Sequence, residues 1–432
     1  MNTKKYSPIS NQLFIENRKR FAAKLKSKSV AVFHSNDEQP RNGDANHPFR
    51  QDSDILYLSG IDQEQTVLVL CPEASNSAHR EILFLRKTSK EIAVWEGHKY
   101  TMEEAREASG IQTIYWIEDL EKHLHNLVTH NHHIYVNLNE NDRYVSDVVN
   151  RNMRGINALK NKYPVHEFER LGPIMMGLRE VKSEIEIALM QEACDITEKA
   201  LRRILKFTKP GVWEYEMEAE IIHEFLINRS TGHAYSPIIA TGNNANCLHY
   251  TDNNSQVKDG DLILMDFGAE YGNYAADLSR TIPANGRFTD RQKAVYSSVL
   301  HVMKESTKML VPGTILNDYH VAVGRLMEAE LVKLGLLDTT DIKNQDPNWP
   351  AYKKYFMHGT SHYIGLDVHD LGSRVDPFVA GNVFTCEPGI YIPEEGIGIR
   401  IENDIVVTND GPFDLMRNIP REIAEIEDIM NG

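Results

Sequence analysis

DLILMDFGAEYGNYAADLSRTI, residues 261–282, decides how the rest of the chain is read. Residues 261–267 carry Leu262, Ile263, Leu264, Met265 and Phe267, an apolar run that reads as a buried strand. Glu270, Tyr271, Gly272 and Asn273 supply turn chemistry, and residues 274–282 read as the returning strand. A hairpin folded about Tyr271-Gly272 sets Asp266 directly opposite Asp277, with their Cβ atoms about 5 Å apart. Like charges that close, flanked by apolar residues, repel and are costly to desolvate. Either the hairpin is exposed and solvent tolerates the pair, or cations neutralise both acids. The surrounding run has the look of a strand buried on both faces, which favours cations.

The bulk of the chain narrows the field. Its 432 residues are enough for two or three domains, and 41% apolar with 25% charged residues is ordinary for a soluble globular protein. A net charge of −15 argues against nucleic acid or an anionic membrane as partner. Cys71, Cys194, Cys247 and Cys386 form no CxxC pair, which fits reduced thiols and offers no cysteine metal site. The start, MNTKKYSPIS, lacks an apolar signal core, and no run approaches a membrane span. The expectation is a cytoplasmic, soluble protein.

Working outward towards the amino terminus, strand-like runs at 29–34, 65–70, 81–85 and 134–138 alternate with helical patterns at 11–26 and from Met102, the latter announced by Thr101 and Glu104 in capping-box spacing. That alternation predicts an α/β domain over residues 1–172. Arg50 and Trp95 stand out there without forming a constellation. His130, His132 and His133 read as a solvated loop, since no carboxylate is spaced to complete a metal site.

From Pro173 a second domain, residues 173–432, contains itself twice. KDGDLILMDFG, ending at Gly268, matches VAGNVFTCEPG, ending at Gly389, so that Gly260 corresponds to Gly381 and Asp266 to Glu387. Upstream, a helix ending at Pro210-Gly211 is echoed by one ending at Pro312-Gly313, with residues 338–355 as an insertion in the second copy. A helix–helix–hairpin unit used twice predicts a pseudo-symmetric α+β domain with one cleft between its halves. The second hairpin should then carry acids too. Glu387 ends its first strand, and the return, GIGIRIENDIVV at 396–407, sets its isoleucines on one face and Arg400, Glu402 and Asp404 on the other. Glu402 becomes the counterpart of Asp277, and two carboxylates from each half converge on the cleft.

Between the hairpins lies MHGTSHYIGLDVHDL, 357–371. His362 is the favoured imidazole ligand, and His369 the better placed for proton transfer or oxyanion donation. One imidazole with four carboxylates is an oxygen-rich, thiol-free donor set. It suits two divalent ions such as Mn²⁺ or Co²⁺, with Zn²⁺ or Fe²⁺ compatible by geometry. Such a pair activates water and polarises a carbonyl, which is hydrolysis of an acyl bond without a Ser or Cys nucleophile.

MDFG at 265–268, ADLSRT at 276–281, HGTSHYIGLDVHD at 358–370, EPGIY at 387–391 and RIEND at 400–404 together resemble the signatures of the pita-bread metallopeptidases. That family includes methionine aminopeptidase, aminopeptidase P, prolidase and the metal-free creatinase. The resemblance implies that His362 and Glu387 hold one metal, Asp266 the other, and that Asp277 and Glu402 bridge. It also implies Glu387 as general base, His249 and His369 as histidines that contact substrate and stabilise the tetrahedral intermediate, and His358 and Arg400 as residues that shape the pocket. The amino-terminal domain, entered through FRQDSDILYLSG, is similar to that of aminopeptidase P and prolidase, and HGTSH with GLDVHD to bacterial aminopeptidase P. The implied activity is that of a Xaa-Pro aminopeptidase acting on peptides with proline second. Its alternatives are a Xaa-Pro dipeptidase, an inactive binding module of the same fold, and creatinase-like C–N hydrolysis, which would predict lost ligands. The family also implies a homo-oligomer, with a neighbour's Trp95 loop near the pocket.

Overall fold

The computed structural model describes residues 4–144 and 146–432, which form two compact units, Met1–Leu178 and Arg179–Gly432. The chain passes from one to the other at the end of helix Gly172–Arg179, of which a boundary between residues 172 and 173 assigns all but Gly172 to the second domain.

The first unit is built on a six-stranded sheet in the order Thr113–Trp116, Glu81–Leu85, Val67–Leu70, Ser29–His34, His133–Val136, Glu167–Arg170. Ser29–His34 runs parallel to His133–Val136 and antiparallel to Val67–Leu70, so the sheet is mixed. Alternate residues Val30, Val32, Val67, Val69, Ile82 and Phe84 join Leu124, Leu127 and Val128 of helix Leu120–Thr129 in one core. The helix expected over 11–26 ends at Ala22, and the chain turns through Lys28, at φ 56°, into the first strand. Thr101 and Glu104 do form a capping box.

His133 is not a solvated loop residue. It begins a strand, and its Nδ1 lies 3.1 Å from Glu167 and 3.0 Å from Glu169, acids supplied by the adjacent parallel strand. Sequence spacing hides such neighbours because parallel strands are joined by a long crossover. Lys26 also pairs with Glu169, so this edge is a partnered ion cluster.

The second unit repeats as expected. Helices Glu184–Phe207 and Glu214–Ile227 precede the first hairpin; Asp290–Thr307 and Leu316–Lys333 precede the second. Ser183 and Glu186 cap the first helix with a capping box. Gly211 at φ 97° answers Gly313 at φ 92°, and Gly260 at φ 85° answers Gly381 at φ 96°, conformations that L side chains rarely adopt. The matching glycines therefore mark matching backbone turns, which is why the repeat survives in sequence.

The first hairpin departs from the expected register. The turn is Gly272-Asn273, with φ of 60° and 66°, so Tyr271 pairs with Tyr274 and Glu270 with Ala275. Two adjacent positive φ values suit Gly and Asn and would strain Tyr271, which is why the turn sits one residue further on. Asp266 consequently pairs with Ser279, not Asp277. The shift is two residues and the side-chain period is also two, so both acids keep the same face as diagonal neighbours. The ladder breaks between Leu262–Phe267 and Ala269–Tyr271, and a Cβ on Gly268 would lie 1.7 Å from the carbonyl oxygen of Ala276.

The second hairpin breaks in the same place. Val383–Cys386 pairs with Asn403–Val406, Gly389–Ile392 with Ile397–Arg400, and Glu387 and Glu402 stand at the interruption. The charged face of the return strand is no surface edge, since Arg400, Glu402 and Asp404 are all buried.

Replacing Gly268 by Ala should lower unfolding stability by about 3 kcal/mol, the upper range for forcing an extra methyl into packed backbone. Urea unfolding of the variant measures this, and an unchanged midpoint would contradict the close approach.

Candidate metal centre

Asp277, Glu387 and Glu402 stand where their hairpin ladders are interrupted, and Asp266, still paired with Ser279 near the end of its strand, meets them in the cleft. The Tyr235 hydroxyl donates to Asp266 Oδ1 at 2.6 Å and also contacts Asp277 Oδ1. His362 Nε2 lies 3.5 Å from Asp277 Oδ2 and 3.5 Å from Glu387 Oε1. Ligand atoms of Asp277, His362 and Glu402 all fall within 4.8 Å of one another. Thus Asp266, Asp277, His362, Glu387 and Glu402, the five side chains singled out from sequence, are neighbours around one cavity.

Electrostatics show what this arrangement lacks. Burial, followed by repulsion from Asp266, raises Asp277 well above the usual carboxylate range; burial and the acids Asp277 and Glu387 do the same to Glu402. Burial pushes Glu387 up to about 7, despite opposing attraction from His362 and Arg400. Arg400 provides the cleft with its guanidinium: Nη2 donates to Asp266 Oδ2 at 2.6 Å and Nε to Ser279 Oγ at 2.7 Å. One guanidinium does not balance four carboxylates. His362 Nδ1 lies 3.0 Å from the Tyr363 carbonyl, which can only accept, so Nδ1 carries a proton and Nε2 is the nitrogen turned towards the acids. Even with His362 doubly protonated, two positive groups would face four carboxylates, an imbalance that divalent cations among them would relieve. The donor set therefore fits divalent metal, hard and oxygen-rich with one imidazole.

The remaining polar groups hold this set in place. Ser279 Oγ donates to Glu402 Oε2 at 2.6 Å. Thr385 Oγ1 donates to Glu387 Oε1 at 3.3 Å and accepts from the His362 backbone N–H at 3.2 Å. Asp404 Oδ2 accepts the Asp277 backbone N–H at 3.0 Å. Arg400 Nη1 donates to the Tyr391 hydroxyl at 2.8 Å, and that hydroxyl donates to His358 Nε2 at 2.8 Å. Burial lowers His358 to about 3, so it stays neutral and accepts. His369 stands edge-on to His362, ring centroids 4.5 Å apart. His249 is exposed, close enough to His358 for its charge to be felt there.

Tyr235, Ser279, Thr385, Tyr391 and Asp404 escaped the sequence reading as site residues. Ser279 and Thr385 carried a signal, since each is two residues from an acid on a strand and so shares its face. Tyr235 comes from a separate loop before strand Ile238–Thr241, and nothing local marks it.

Comparison with known proteins places this geometry. Residues 188–409 match metallopeptidase family M24, and residues 14–135 match the aminopeptidase P N-terminal domain. The Xaa-Pro aminopeptidase of Haemophilus influenzae is 36% identical over 441 residues, covering 98% of each chain. Among solved structures, a putative aminopeptidase P from Bacillus anthracis superposes with a TM-score of 0.90 at 32% identity, covering 98% of this chain and 99% of that one. Zn-substituted Escherichia coli aminopeptidase P in complex with product does so at 0.87 and 33% identity, with the same coverage.

Divalent ion added to chelated protein should raise its unfolding midpoint, the unfolding free energy growing by about 2.7 kcal/mol at a hundredfold excess over Kd. Asp277→Asn should abolish most of that gain. Superimposable melting curves with and without Mn²⁺ or Zn²⁺ would remove the metal from the account.

Proposed function

The chain belongs to metallopeptidase family M24 and is a Xaa-Pro aminopeptidase, and from that premise we propose how its residues divide the reaction. The substrate is a peptide with proline in second position, and the bond cleaved is the one before that proline. Asp266, Asp277, His362, Glu387 and Glu402 would hold two divalent ions, Mn²⁺ being the ion we favour, with Co²⁺, Zn²⁺ and Fe²⁺ as competitors for the same oxygen-rich set. Bound there, the pair supplies Lewis-acid polarisation of the scissile carbonyl and lowers the pKa of water to near neutrality.

Everything else falls to the protein's own side chains. Glu387 takes the proton from the attacking water; its carboxylate is held by Thr385, and its burial in the cleft raises its basicity towards neutral pH. His369, beside His362, donates to the oxygen that becomes negative on attack and assists protonation of the departing proline nitrogen. A proline nitrogen is a poor leaving group until protonated, so a proton must be delivered at that atom. His249 contacts the substrate from the exposed side of the pocket, while His358 and Arg400 shape it and hold the acids through Tyr391 and Asp266.

The observation that carries the reading is the convergence of Asp277 and Glu387 on His362 Nε2, each 3.5 Å away, in a cleft short of positive charge. We assign catalysis to residues 173–432 and a non-catalytic part to residues 1–172. The reduced state of all four cysteines, and the absence among the described residues of any helix long and apolar enough to cross a membrane, fit our assignment to the cytoplasm. Homo-oligomerisation is supported by Trp95, 89% exposed on helix Lys90–Glu96.

Hydrolysis of a Xaa-Pro-Yaa tripeptide should exceed that of the matching Xaa-Pro dipeptide at saturating metal; the reverse preference would make the enzyme a dipeptidase. Glu387→Gln should lower kcat by about 10²–10⁴, the range for losing a general base. A kcat within a few-fold of the parent would remove Glu387 from that role.

A further inference from the structure

We infer that Arg179, Lys182 and Asp370 form a positioning clamp that sets where His369 stands in the pocket, an inference that rests on the role of His369 given above. Asp370 directly follows His369 in the chain. Its carboxylate is 1% exposed, and each oxygen meets a buried cation: Oδ1 accepts from Arg179 Nη2, and Oδ2 from Lys182 Nζ at 3.1 Å. Arg179 and Lys182 are themselves 4% and 1% exposed. The same Arg179 Nη2 also donates to Asp367 Oδ2 at 2.6 Å, so one guanidinium nitrogen grips the turn on both sides of Val368-His369.

The backbone around this clamp is closed on itself. Asp370 N donates to the Tyr363 carbonyl at 2.8 Å, Gly365 N to the Asp367 carbonyl at 3.1 Å, and Leu371 N to Asp370 Oδ1 at 2.8 Å. Gly365 is a glycine because the ion pair occupies its side-chain space. A Cβ there would lie 2.3 Å from Asp370 Oδ2 and 2.7 Å from Lys182 Cε. The Gly365 carbonyl accepts from Ala275 N at 2.8 Å, two residues before Asp277, which ties the turn to the hairpin that supplies the metal-side acids.

Burying three charges to fasten a nine-residue turn, 363–371, is costly, and well-packed apolar residues would stabilise the region at least as well. What the charges add is direction. Asp370 is held from two sides by groups of fixed origin, so the peptide before it, and with it the imidazole of His369, has one orientation against the His362 ring, at 4.5 Å between centroids. Neither cation is among the groups that meet in the cleft. They act on the reaction through Asp370 and the peptide it shares with His369.

The test is a double-mutant cycle on the metal-loaded, full-length enzyme, with kcat and KM measured on one Xaa-Pro-Yaa tripeptide. Arg179→Lys retains the charge but loses the reach and planar geometry of the guanidinium, and Lys182→Met retains the length but loses the charge. Each should lower kcat about tenfold or more, the scale of a misplaced group, with KM within about twofold. In a His369→Ala background the same substitutions should cost less than about twofold, because the group they position is gone. A merely structural clamp would multiply its loss onto that of His369→Ala, and such additivity overturns the inference. Full activity in His369→Ala alone would instead overturn the role of His369, and this inference with it. Arg179→Lys keeps the cycle decisive should Lys182→Met fail to fold.

Discussion

Mutual repulsion among Asp266, Asp277, Glu387 and Glu402 is the constraint from which the rest of the second unit follows. At an effective dielectric of about 20, two carboxylates 4 Å apart oppose each other by about 4 kcal/mol, and here Asp277 and Glu402 are buried and Asp266 and Glu387 largely so. Arg400, Tyr235, Ser279 and Thr385 supply hydrogen bonds that hold the oxygens in place. They do not supply enough positive charge. A chain that spends so much buried polar structure on keeping acids together, and leaves the charge unbalanced, is organised around cations that complete the site.

Duplication explains how one cleft comes to be lined so symmetrically. Each half turns at a positive-φ glycine into a strand, runs four to six residues, and interrupts its ladder beside its acids: Asp266 just before the break and Asp277 at it in one half, Glu387 and Glu402 at it in the other. The interruption in the first half requires glycine, because Gly268 meets the Ala276 carbonyl without room for a Cβ. The symmetry ends at the imidazoles. His358, His362 and His369 belong to the segment between the hairpins while His249 precedes the first, so the histidine side of the pocket is unequally drawn from the two halves, and it is the side where proton transfer is assigned.

How much of this was legible in the sequence varies with how local the signal is. The strands and the capping boxes at Thr101 and Ser183 could be read because each depends on residues a few positions apart, and the Pro-Gly helix ends and the converging acids because the internal repeat carries one half onto the other. The register of the first hairpin was misplaced by two residues because the turn was centred on Tyr271-Gly272 when Gly272-Asn273 better accommodates positive φ. The acids kept their common face only because that error was even. Tyr235, the bond from the Asp277 backbone to Asp404 and the Arg179–Lys182–Asp370 cluster were invisible for a different reason. Their partners lie far along the chain, and a lone tyrosine, aspartate or lysine carries no pattern. His133 shows the same limit in the first unit, where Glu167 and Glu169 arrive on a neighbouring strand.

Anomalous scattering from crystals of the protein soaked in Mn²⁺ or Zn²⁺ tests the central claim most directly. The account predicts two anomalous peaks, about 3.5–4 Å apart, bonded to Asp266, Asp277, His362, Glu387 and Glu402 at distances of about 2 Å. Crystals saturated with either ion that show those five side chains in place and no peak among them would contradict it.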